Sequence, residues 1–145
     1  MKLNKNLKRN IIVILTLMYV SGFSIWLLKN FFQIDNGMGP EPRTQQIWFL
    51  RFHGTMSFAV VMLLGYVLRA HVLPYWRMHR GLKSGLPLLG HFFLILFTVP
   101  FVLYLTDENL KSLFEQIHAY LGLFLIVPFA IHLIAKTVRF KSGKT

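Results

Sequence analysis

Of the nitrogen, thiolate and carboxylate side chains able to hold a metal, six histidines are present, against no cysteine and five carboxylates. Without cysteine the chain has no disulfide, thiolate metal site, iron–sulfur ligation or thioether-bound haem. Four histidines fall within long apolar runs: His53 and His71 in one, His118 and His132 in another. At 3.6 residues per turn, the separation of 18 between the first two is five whole turns. The separation of 14 between the second two is close to four turns, about 40° from alignment. Each run, if helical, carries an outer and an inner imidazole along one stripe, roughly 27 Å apart in the first and roughly 21 Å in the second. Two such helices facing each other would make two stacked bis-histidine sites, as two b-type haems require. Bis-imidazole iron has no open position, so it suits electron transfer better than oxygen or substrate chemistry. The stripes differ in length by about 6 Å, part of which a helix tilt of about 20° can absorb.

The two remaining histidines read differently. His79 lies in a basic loop and is expected to be solvated. His91 sits in a third apolar run, at a depth comparable with His132. It is the alternative inner ligand to His71, though it has no in-register mate on its own helix. Any single histidine in an apolar run could instead make a helix–helix hydrogen bond. Four in register on two helices make haem ligation the stronger expectation, since ionisable groups at membrane depth usually serve a function.

The elements that must position these residues are membrane spans. The chain has 145 residues, 54% hydrophobic and 14% charged, well under the quarter charged that a soluble domain carries. Four segments reach the roughly 20 apolar residues a transmembrane helix needs: 11–32, 47–72, 86–105 and 113–135. Their connections, IDNGMGPEPRTQQ, LPYWRMHRGLKSG and TDENLKS, are too short to fold as domains. The expected architecture is therefore all-α, one four-helix membrane bundle over residues 1–145. The N-terminal MKLNKNLKRN and its apolar run also resemble a signal peptide. That run is longer than a signal core and no small-residue cleavage site follows it, so an uncleaved first span is expected.

The net charge of +11 reports orientation. With alternating spans, twelve basic residues and no acid fall on the side holding both termini and the second loop. The opposite side holds Lys29, Arg43, Arg51 and Lys111 together with all five acids. By the positive-inside rule both termini are cytoplasmic, and the basicity gives no support to nucleic-acid binding. Trp48, Tyr75 and Trp76 stand where interfacial aromatic anchors are expected.

Several neighbours of the histidines suit a haem pair. Val60, Leu64 and Val67 lie near the His53 stripe, and Gly122, Leu125 and Phe129 near the His118 stripe. Gly122, one turn beyond His118, would let a flat macrocycle approach the backbone. Such residues are equally ordinary at helix contacts. Arg51 and Lys111 on the outer side, and Lys136, Arg69 and Arg77 on the inner side, are candidates to pair haem propionates; snorkelling is their other role. Glu115, three residues before His118, could accept a quinol proton, orient His118, or stand as a solvated acid.

With these residues assembled, the sequence resembles a small four-helix di-haem cytochrome b. It is similar to the prokaryotic membrane cytochromes related to formate-dehydrogenase gamma subunits and hydrogenase b-type subunits. The segments carrying the likeness are RFHGTMSFAVVMLLGYVLRAHVLPYW, the basic WRMHRGLKSG turn and IHAYLGLFLIVPFAIH. In that superfamily the last helix carries two haem ligands about four turns apart, which matches His118 and His132. Outer ligation by the second and last helices matches His53 and His118. The formate-dehydrogenase type takes an inner ligand from its first helix, where this chain has no histidine; His71 would fill that role.

The resemblance, over residues 8–138, implies an electron-transfer subunit of an oxidoreductase complex in the prokaryotic cytoplasmic membrane. It would hold two haems b, exchange electrons with quinone or menaquinone, and meet a multihaem cytochrome or iron–sulfur subunit. Two other readings stay open: a non-redox scaffold or assembly subunit, and a small transporter using histidines as a proton or metal path. The transporter lacks a carboxylate at mid-membrane, because all five acids lie in the outer half or its loops.

Overall fold

A computed structural model describes residues 5–35, 40–77 and 82–142. Apart from one two-residue strand pair, the described regular structure is helical: α1 Lys5–Phe31, α2 Thr44–Val67, α3 Leu73–Arg77, α4 Leu82–Tyr104, α5 Glu108–Phe124 and α6 Ile126–Ser142. Among the described residues, four helical stretches are long and apolar enough to cross a membrane: Lys5–Phe31, Thr44–Arg77, Gly85–Tyr104 and Glu108–Ala135. Their surfaces carry bare apolar side chains, with Phe58 70% and Met62 74% exposed. Water would disfavour such a surface, whereas lipid accepts it.

The chain divides into two compact units, meeting between Pro74 and Tyr75. In the first unit α1 and α2 form a hairpin. The connection is tightened by antiparallel pairing of Ile34 with Glu41 and of Asp35 with Pro40. Arg43 Nε donates to the Phe32 carbonyl at 2.6 Å, and its guanidinium lies 5.9 Å from the Phe32 ring centroid. In the second unit α4 packs along α5 and α6. Phe101 and Phe114 stack at 4.4 Å between centroids, close to the turn that joins them.

Three local features depart from uninterrupted α-helices. The second span widens into a π-turn at Leu68–Val72, where the Leu73 N–H reaches back to Leu68. Pro74 follows; it has no N–H for the Ala70 carbonyl, and its ring crowds that oxygen. A wider turn relieves that conflict. The turn contains His71, so the phase between His53 and His71 differs from that of a continuous α-helix. The fourth span breaks at Leu125, whose N–H donates to Gly122 at 3.3 Å instead of to Leu121. Pro128 supplies the cause, because it cannot donate to Phe124. That break lies between His118 and His132 and likewise alters their phase.

The third departure is the start of the fourth span at Glu108, five residues before the expected Leu113. Asp107 caps α5 by accepting the Leu110 N–H at 2.9 Å, and Glu108 in the first turn complements the helix dipole.

Candidate functional site

Four of the five histidines of the apolar spans meet residues of a neighbouring helix within their own unit. On α2, His53 Nδ1 lies 2.9 Å from Ser21 Oγ on α1. The His53 ring also lies against Gly22, where an added Cβ would stand only 3.0 Å from Cε1. That is tighter than ordinary contact, so an added methyl would have to push the ring by a few tenths of an ångström. On α5, His118 Nδ1 lies 2.7 Å from Thr98 Oγ1 on α4. His132 on α6 faces Gly85 on α4, at 3.6 Å from Cε1 to an added Cβ, which is ordinary contact. His71 lies in the π-turn with its Nδ1 buried.

His91 has a different employment. Its Nε2–H donates to the Leu121 carbonyl at 2.7 Å. This is the carbonyl that Leu125 abandons at the break in the fourth span. A carbonyl left without a donor inside lipid is costly, and the imidazole satisfies it. The same region opens into an apolar groove of about 630 Å³, lined by Pro87, His91, Tyr120, Phe124 and Pro128 among others.

The expected flanking residues divide. Val60 is buried. Gly122 has nothing within 4 Å of an added Cβ, so no neighbouring side chain among the described residues occupies its face. Arg51 is exposed and its guanidinium stands 5.4 Å from the Trp48 ring centroid. Lys111 and Glu115 are half-buried on α5, and Arg69 and Arg77 are exposed. His79 and the side chain of Lys136 lie outside the described residues. Neither protein-family models, curated proteins nor solved structures match the chain.

Four residues at these histidines are absent from the sequence expectations: Ser21, Gly22, Gly85 and Thr98. Their signal was small or hydroxyl residues inside apolar spans, a pattern common at any helix contact. Gly22 offers a direct check on the first hairpin. Gly22→Val is expected to lower its stability by about 1–3 kcal/mol through overpacking against His53. Gly122→Ala should stay within about 0.5 kcal/mol in the haem-free protein. Unfolding midpoints in detergent compare the two, and equal midpoints would contradict the close approach at Gly22.

Proposed function

We propose that the chain is a membrane di-haem b-type cytochrome, passing electrons between a quinone pool and a partner redox subunit. The observation that carries this reading is the paired treatment of His53 and His118. Each sits half-buried in an apolar span with Nδ1 held by a hydroxyl of the adjacent helix. A histidine that ligates metal binds through one ring nitrogen while the other is oriented by a neighbouring group. Within either unit, among the described residues, no group of three or more His, Cys, Asp or Glu gathers. Structural zinc asks for four such ligands. Bis-imidazole haem asks for two imidazoles, and His53 and His118 each have one ring nitrogen held by a hydroxyl.

In this reading His53 and His118 hold the outer haem, and His71 and His132 the inner one. His91 is the weaker inner candidate because its Nε2–H is committed to the Leu121 carbonyl, which leaves only Nδ1, the nitrogen that the ring's own Cβ crowds against a macrocycle. Bound haem would supply a reversible one-electron couple. Arg51, Lys111 and Lys136 would pair propionate charge, Gly122 would leave room beside the macrocycle, and Glu115 would accept a quinol proton. The apolar spans would exclude water, and the basic residues would set both termini in the cytoplasm of a prokaryotic cell. The partner would be a multihaem cytochrome or an iron–sulfur subunit.

The test is a reduced-minus-oxidised spectrum of the purified, haem-replete chain, with stoichiometry by pyridine haemochrome. Reducible alpha and Soret bands and two haems per chain are expected. A colourless protein under those conditions sinks the reading. It would favour a non-redox membrane scaffold, which the same interhelical histidine contacts also support. A scaffold further predicts mild effects of single His→Gln changes.

A further inference from the structure

The hydroxyls that face His53 and His118 have a proton inventory that decides which nitrogen of each ring is protonated. Ser21 Oγ lies 2.9 Å from the Met18 carbonyl and 2.9 Å from His53 Nδ1. Thr98 Oγ1 lies 2.6 Å from the Ile95 carbonyl and 2.7 Å from His118 Nδ1. A carbonyl only accepts, and a hydroxyl has a single proton to give. If that proton went to the imidazole, the carbonyl contact would hold no hydrogen at all. Both contacts are satisfied only when the hydroxyl donates to the backbone and the imidazole Nδ1–H donates to the hydroxyl. The lone pair of the ring then resides on Nε2.

Burial and repetition set these two residues apart. Ser21 is 2% and Thr98 3% exposed, the two most buried of the described residues in a structure whose apolar side chains are largely bare. The arrangement arises twice, on different helix pairs and with different hydroxyl residues. It falls at the two histidines that the sequence alone pairs as outer ligands.

We propose that Ser21 and Thr98 are positioning residues that hold His53 and His118 as the Nδ1–H tautomer and so direct Nε2 toward haem iron. This rests on the di-haem reading, but the tautomer can be examined without haem. A hydrogen bond from Nδ1–H raises the basicity of the ligating nitrogen and fixes the ring orientation, and losing such a partner typically costs 10–100-fold in affinity. In a bare helix–helix contact the hydroxyl would serve stability alone.

The experiment uses the full chain labelled with 15N-histidine in lipid, with and without haem. Nitrogen shifts of His53 and His118 should report Nδ1–H in the wild type. Ser21→Ala and Thr98→Val should mix the tautomers and weaken haem binding at least tenfold. Ser21→Thr and Thr98→Ser should restore both. Thr98→Val keeps the side chain's shape, so it tests the idea even if Ser21→Ala fails to fold. Wild-type rings protonated on Nε2 overturn the proposal, as do unchanged tautomers and haem affinity in both variants. Nδ1–H rings in a chain that binds no haem leave the tautomer assignment standing and remove the haem reading with the role toward it.

Discussion

His118→Ala is expected to remove one of two haems and leave the other reducible, and His53→Ala to remove the same one. In the di-haem reading both imidazoles would hold the same haem, so deleting either would leave that haem with one protein ligand. The affinity lost with one ligand exceeds the 10–100-fold typical of losing a second-sphere partner. Pyridine haemochrome should fall from two haems per chain to about one. The double variant should resemble either single one, because residues sharing one site are strongly non-additive. Loss of both haems from one variant but only one from the other would contradict the shared site. Equal loss from His79→Ala would do the same, since that residue is assigned to the basic loop. In the scaffold reading none of the variants changes a spectrum.

The parts of this fold that were legible in the sequence are those set by composition over a long window. Four apolar stretches must be helical in lipid, where each backbone group needs an internal partner, and among the described residues four helices long and apolar enough to span are found. Their ends were less legible because helices run past the hydrocarbon. Leu110, Leu113, Phe114, Ile117 and Leu121 follow helical spacing. Charged neighbours such as Glu108 and Lys111 kept the first of these outside a window chosen for apolar content, and only the Asp107 cap marks the true start.

The π-turn and the break at Leu125 had a visible signal in Pro74 and Pro128. A proline tells where a carbonyl loses its donor, but not whether the chain answers with a wider turn, a kink or a side chain from another helix. Here the second span answers with a π-turn around His71, and the fourth with a break at Leu125 beside which His91 caps the Leu121 carbonyl. The hydroxyl partners were illegible for a related reason. Ser21 and Thr98 are defined by what faces them from another helix, and helix rotation about its axis is set by packing that a single span does not encode.

That difference between His71 and His91 yields the second large effect. His71→Ala is expected to remove the inner haem, whereas His91→Ala should keep both haems and destabilise the second unit. His91 donates its Nε2–H to a carbonyl at 2.7 Å, and a nitrogen that carries a proton has no lone pair for iron. Ligation by that nitrogen would require it to release Leu121, whose usual helical donor Leu125 already bonds elsewhere; the lone pair left on Nδ1 adjoins the ring's own Cβ, which crowds a flat macrocycle. Removing the imidazole should cost about 1–2 kcal/mol, at the upper end of interhelical hydrogen bonds in membranes. Pro128→Ala in the same chain should recover much of it, because an alanine N–H lets the helix close again over Phe124 and brings Leu125 back toward Leu121. Haem stoichiometry and unfolding midpoints, measured on His71→Ala, His91→Ala and the His91→Ala/Pro128→Ala pair, separate the two roles. A chain that loses haem with His91→Ala and keeps it with His71→Ala would exchange the assignments, making His91 the ligand and the π-turn histidine a structural one.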